Sequence, residues 1–131
     1  MKTYDERTEK NLATLAPAAQ AAARAFLAVA VPAMAAQGVT LKIICGNRTH
    51  AEQNALYAQG RTKPGPIVTN ARGGESRHNS GRAWDIGLFR GKVYLEESPL
   101  YHECAAIGHS CGLNCGAFWT KFPDPPHYET R

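Results

Sequence analysis

Two short stretches carry residue types from which hydrolytic chemistry can be built. "ESRHNSGRAWDIGLF" (75–89) places His78 seven positions before Asp85, and "FPDPPHYE" (122–129) places Asp124 three positions before His127. Asp85 stands inside a run that otherwise reads as buried strand, so its charge needs a partner. In a straight strand His78 and Asp85 would lie about 23 Å apart at roughly 3.3 Å per residue. Asn79, Ser80 and Gly81 can instead reverse the chain and return His78 to the small-residue face of the strand. An imidazole nitrogen and a carboxylate oxygen brought together in this way suit one zinc ion, which in catalytic sites takes three protein ligands and keeps a position open. The third ligand is to be sought among His, Asp or Glu elsewhere, with His50, His102, His109 and His127 the remaining histidines. His127 stands out, because Pro123, Pro125 and Pro126 fix three φ angles around it. A polyproline-like course repeats every three residues, so it would turn Asp124 and His127 to the same side. An acid so placed can take a proton from an attacking water and return it to a leaving amine.

The surrounding pattern supplies elements to hold these groups. Leu12, Leu15, Ala19, Ala23, Phe26, Leu27, Ala30, Val31 and Met34 recur at helical spacing. With Pro17 suited to a first turn and Gly38 to a stop, one helix over about 17–37 is expected, with a kink or early end at Pro32. Residues 1–10 are polar and read as a loose lead-in. "VTLKIIC" (39–45) reads as a strand. "THAEQNALYAQG" (49–60) reads as a helix with Thr49 and Glu52 as capping box and Gly60 as its end. Arg48 sits in the loop between them, where chemistry is often placed. A Gly/Pro-rich connection with one short strand, Ile67–Thr69, follows. In "RAWDIGLF" the period is two, setting Trp84, Ile86 and Leu88 against Ala83, Asp85 and Gly87. Arg90 and Gly91 can turn this strand into "KVYL" as a hairpin, and Ser98 and Pro99 can open a helix over about 99–111. This order is mixed, without regular βα alternation, and indicates an α+β fold with a small central antiparallel sheet flanked by helices.

Bulk properties narrow the function classes. A chain of 131 residues with 44% hydrophobic and 20% charged residues fits a single globular domain over 1–131. The net charge is +4, but the 15 Lys and Arg are spread along the chain rather than clustered, so no nucleic-acid partner is expected. A nuclease would rest on net charge alone. "AFLAVAVPAMAA" (25–36) starts late and follows Asp5, Glu6 and Glu9, which does not suit a signal peptide, and it is too short to span a bilayer. No stable membrane association is expected, and a monomer is. Cys45, Cys104, Cys111 and Cys115 are too few for a disulfide scaffold. Cys104 and Cys111 would be about 10.5 Å apart along a helix, beyond disulfide reach. A structural zinc on some of His102, Cys104, His109, Cys111 and Cys115 lacks a supporting CxxC pair.

"SRHNSGRAWD" (76–85) and "DPPH" (124–127) together resemble the zinc peptidases that include the vancomycin-resistance D,D-dipeptidases and the bacteriophage L-alanyl-D-glutamate endopeptidases. The matches are to S-x-H-x-x-G-x-A-x-D and to a later acid-x-x-His pattern. Residues 59–86 look most like the phage endolysin branch, and the resemblance spans roughly residues 10–129. It implies a small α+β zinc-peptidase domain in which His78, Asp85 and His127 are the zinc ligands and Asp124 is the catalytic base. It further implies that Arg48 supports the oxyanion of the tetrahedral intermediate and that Ser76 helps bind substrate. Two departures stand out: "GNRT" (46–49) replaces Gly-Tyr-Arg-Ser, leaving Arg48 in place, and "GAFW" (116–119) replaces Gly-Gly-Asp-Trp, putting Phe118 where the family has an acid.

The expected activity is zinc-dependent hydrolysis of a peptidoglycan stem peptide, foremost at the L-alanyl-D-glutamate bond. Such an endolysin would be made in the host bacterial cytoplasm and reach the wall at lysis. A D-Ala-D-Ala dipeptidase or carboxypeptidase would use the same metal chemistry. A zinc-retaining, non-catalytic wall-binding module is a third reading, against which Asp124 and Arg48 speak, since a pure binder has no need of the acid.

Overall fold

The computed structural model describes residues 3–47, 50–67 and 80–131. Its first element contradicts the loose lead-in expected for residues 1–10. Helix α1 (Glu6–Ala13) is capped by Asp5, whose side chain accepts from the Thr8 amide, and buries Thr8, Glu9 and Leu12. The polar composition conceals it because its buried polar groups find partners. Arg24 Nη2 meets Glu9 Oε1 at 2.6 Å, and the Tyr4 amide donates to Glu9 Oε2 at 3.0 Å.

Helix α2 (Pro17–Ala35) buries Ala19, Ala23, Phe26, Leu27, Ala30 and Met34, a stripe at spacings of three, four and seven that faces the sheet. Gly38, at φ +75°, reverses the chain after it, and the Val39 amide reaches back to the Met34 carbonyl at 3.0 Å. The early end foreseen at Pro32 does not occur. Pro32 is at the surface in the last turn, and the carbonyl four residues back belongs to exposed Ala28, where water can serve it. By length and composition this 19-residue helix, of mean hydropathy 1.4, is also long and apolar enough to cross a membrane, whereas the run 25–36 taken alone is too short. Here its apolar stripe is part of the core.

Strand β1 (Thr40–Cys45) leads to helix α3 (His50–Ala58). After the undescribed stretch come β2 (Ala83–Arg90), β3 (Val93–Leu95), α4 (Leu100–Ser110), β4 (Asn114–Cys115), a 3-10 turn (Gly116–Phe118) and β5 (His127–Glu129). The described strands form one antiparallel sheet ordered β1-β2-β5-β4, with β3 also paired to β2. The α+β expectation holds, as does the hairpin at Gly91 (φ +60°), where Arg90 faces Val93. The Ile67–Thr69 strand falls largely outside the described residues, as does Thr49 of the expected capping box.

The alternation in β2 directs the core. Trp84, Ile86 and Leu88 are fully buried in one core with the apolar residues of α2 and α4, and Tyr128 of β5 lies between Trp84 and Phe26, with ring centroids 6.3 and 4.7 Å away. Beyond this aromatic layer, Tyr101 of α4 ties the sheet together. Its hydroxyl accepts from the Leu88 amide at 3.2 Å and donates to the Leu95 carbonyl at 2.6 Å, so it stands between two paired backbones.

Strand β1 lies at the end of the sheet, and α1 covers its open edge. Thr8 Oγ1 accepts from the Ile43 amide at 3.2 Å and Asn11 Nδ2 donates to the Ile43 carbonyl at 2.9 Å, which satisfies backbone groups that an edge strand leaves free. The Asn47 amide then donates to Thr14 Oγ1 at 2.8 Å. Helix α1 thereby fixes the loop that leads into Arg48.

Candidate metal centre

Asp85 is the outward member of β2 at the point where three strands meet. It pairs with Cys45 on β1 and with His127 on β5. The β1 register shifts between Ile43 and Cys45, so an extra residue bulges out beside Asp85, a local bend often found next to functional sites. Because Trp84 and Tyr128 form the adjacent cross-strand pair on the core side, Asp85 and His127 share the opposite face. Their side chains are 17% and 8% exposed, and His127 Nδ1 lies 3.3 Å from Asp85 Oδ1. The other ring nitrogen, Nε2, lies 2.8 Å from Glu129 Oε1.

Asp124 reaches this face by a different route from the polyproline course expected. The His127 amide donates to the Asp124 carbonyl at 3.0 Å, making Pro125 and Pro126 the middle of a tight turn. Proline without an N–H serves well in such a turn, where the chain must reverse with few internal donors. The Pro126 carbonyl docks on β2 by accepting from the Ile86 amide at 2.9 Å, and the Asp124 amide donates to the Gly116 carbonyl at 2.9 Å. One ligand atom from each of Asp85, Asp124 and His127 thus lies within 4.8 Å of the others. Among the described residues, no such convergence involves His102, Cys104, His109, Cys111 or Cys115. Cys104 and Cys115 are buried in the core and Cys111 is exposed beyond α4. Burial pushes the Cys104 thiol up to about 12 and the Cys115 thiol up to about 11, so both are protonated and inert near neutral pH.

The sequence-predicted site is therefore seen in part. Asp85, Asp124 and His127 come together, while Arg48, Ser76 and His78 lie outside the described residues. Gly81, at φ +70°, anchors the chain as it returns from that region, its carbonyl accepting from the Ala16 amide at 3.0 Å. Gly116 is a position that motif reading passes over. A Cβ there would run into the Asp124 carbonyl oxygen and lie 3.0 Å from His127 Cβ, so only glycine lets the Asp124 turn pack this closely. The close approach of two segments remote from β2 leaves no local signal. Trp119 lies with its ring 4.9 Å from that of His127. With Phe118 and Phe122 it forms an apolar surface beside the site, these three being 38%, 51% and 48% exposed.

The donor set fits a zinc ion. Two carboxylates and an imidazole, all at least partly buried, converge within reach of one ion, and a cation there would relieve the repulsion between the like charges. A neutral imidazole carries one N–H, yet both ring nitrogens of His127 face carboxylate oxygens. A metal ion on one side and an N–H on the other satisfy that arrangement.

Residues 13–119 match the family described as VanY, D-alanyl-D-alanine carboxypeptidase. The chain belongs to the VanY family. Over an alignment of 107 positions it is 39% identical to the peptidoglycan L-alanyl-D-glutamate endopeptidase CwlK of Bacillus subtilis (strain 168), the match covering 74% of this chain and 64% of that relative's length. The VanY-family fold is matched by the L-Ala D-Glu endopeptidase ChiX of Serratia marcescens at TM-score 0.70 and 21% identity, covering 98% of this chain and 89% of ChiX. A mutant vancomycin-resistance D,D-pentapeptidase VanY, from a VanB-type cassette and in complex with Zn(II), matches at TM-score 0.58 and 20% identity, covering 82% of this chain and 69% of that one.

Proposed function

We propose that this VanY-family chain is a zinc-dependent peptidoglycan peptidase that hydrolyses the stem peptide, foremost between L-alanine and D-glutamate. The observation that carries the reading is the convergence of Asp85, Asp124 and His127 at the junction of β2 and the Pro125-Pro126 turn. His78, Asp85 and His127 would hold the ion. When bound, zinc would lower the pKa of water and polarise the scissile carbonyl. Asp124 takes the proton of the attacking water and passes it to the leaving amine; its position three residues before His127 keeps it beside the residues that would hold the ion. Arg48 supports the negative charge that develops on the carbonyl oxygen, and Ser76 helps to hold the substrate. Phe118, Trp119 and Phe122 give the apolar parts of the peptide a surface beside His127. The named activities of CwlK and ChiX support the choice of bond.

The biological setting that suits this chemistry is an endolysin, of phage or prophage origin, made as a monomer in the host cytoplasm and acting on the wall at lysis. The test is digestion of purified peptidoglycan with and without a chelator, followed by identification of the new ends. New L-Ala carboxyl and D-Glu amino termini that vanish with chelation support the proposal. Release of D-Ala instead supports the carboxypeptidase reading, which the family description favours. Wall binding without cleavage by the zinc-loaded protein overturns both.

A further inference from the structure

Strand β5 holds a buried carboxylate that the proposed chemistry does not use. Glu129 is 9% exposed and lies two residues after His127, so strand alternation sets both on one face while Tyr128 turns into the core. It sits between Ala83 of β2 and Asn114 of β4, its partners across the sheet. Its Oε1 lies 2.8 Å from His127 Nε2, the short separation of a charge-assisted hydrogen bond. An ionised carboxylate accepts hydrogen bonds and cannot donate them, and of the two carboxylates that face the ring Glu129 is the closer, at 2.8 Å against 3.3 Å for Asp85, so the geometry favours the ring hydrogen on Nε2. The other nitrogen, Nδ1, is then left with its lone pair directed at Asp85 Oδ1, 3.3 Å away.

We infer that Glu129 is a positioning residue for His127: it accepts Nε2–H, holds the ring plane, and so presents Nδ1 as the ligand atom. The inference rests on the reading of His127 as a metal ligand and adds which ring nitrogen binds and what enforces the choice. Outer partners of this kind orient the ligand, and their loss costs about 10–100-fold in metal affinity. The rigidity comes from position: the middle of a sheet, flanked by strands on both sides, gives Glu129 little freedom to follow a ring that rotates.

The experiment measures zinc affinity by chelator competition for the wild type, Glu129→Gln and Glu129→Ala, together with long-range 1H–15N spectra of the His127 ring in the zinc-loaded protein. The expected result is an Nε2–H, Nδ1-metallated ring in the wild type, and zinc binding weakened about 10–100-fold in Glu129→Ala. Partial rescue is expected in Glu129→Gln, whose amide oxygen can still accept the N–H. A wild-type ring metallated through Nε2 overturns the inference whatever the variants do, including their failure to fold. Equal affinity and an unchanged ring signature in a folded Glu129→Ala also overturn it, while the ligand reading survives. Wild type that binds zinc without any change at His127 overturns the ligand reading itself.

Discussion

Gly116→Ala tests whether the Asp124 turn is held in place by backbone packing. The added methyl group would overlap the Asp124 carbonyl oxygen, with the Asp124 carbonyl carbon at 3.1 Å and His127 Cβ at 3.0 Å. Backbone atoms cannot rotate out of the way, so the turn must move outward by about 1 Å, a displacement that costs on the order of 100-fold in rate when it affects reacting groups. At about 1.36 kcal/mol per decade that is close to 3 kcal/mol of barrier. Overpacking itself should lower stability by about 1–3 kcal/mol. The assay is turnover of a stem peptide by the zinc-loaded variant, with circular dichroism and bound zinc measured on the same sample. A folded, zinc-loaded Gly116→Ala with wild-type turnover would refute the reasoning, because the Asp124 position would then not depend on contact with residue 116.

Other consequences follow from the core and its charges. Tyr101→Phe leaves the Leu88 amide and Leu95 carbonyl without the hydroxyl they share, so denaturant unfolding should show a loss of about 2 kcal/mol. Tyr128→Phe should be neutral or mildly stabilising in the same experiment, since the Tyr128 hydroxyl is buried without a hydrogen-bond partner among the described residues. A thiol reagent should label exposed Cys111 in the native protein at pH 7, and Cys104 and Cys115 only after unfolding. Hydrogen bonds from Arg24, the larger effect, together with the Tyr4 amide hold the Glu9 carboxyl below its ordinary value of 4.5. Its contribution is thus present above that pH and lost as pH falls through the lower folded value. Glu9→Gln should cost about 1 kcal/mol at pH 7 and flatten the decline of melting temperature below pH 4.5.

What can be read in advance follows a physical division. Alternation in "RAWDIGLF" places Asp85 opposite Trp84, Ile86 and Leu88 because a pleated strand leaves a side chain no other choice. The apolar spacing of α2 and the glycine after it are equally local. Helix α1 escapes a hydrophobic pattern because its buried face is polar: Thr8 and Glu9 are paired with β1 and Arg24, and such pairing has no signature in the spacing of apolar residues. The fixed φ angles of Pro125 and Pro126 suit a polyproline course as well as a turn; contacts with Gly116, at the other end of the same loop, and with Ile86, remote in sequence, select the turn. Asp85, Asp124 and His127 are legible as chemistry, whereas the Gly116 contact depends on how the loop between Gly116 and Asp124 folds back on itself. Glu129 has a local signal in the alternation of "HYE", which sets it beside His127.

The most direct measurement of the central claim is the turnover of Asp124→Asn on an L-Ala-D-Glu stem peptide, compared with wild type at equal zinc occupancy. The substitution keeps the size of the side chain and removes its ability to accept a proton. The account predicts a folded variant that holds one zinc ion per chain and loses about 10²–10⁴ in kcat. Cleavage by Asp124→Asn at the wild-type rate would contradict it.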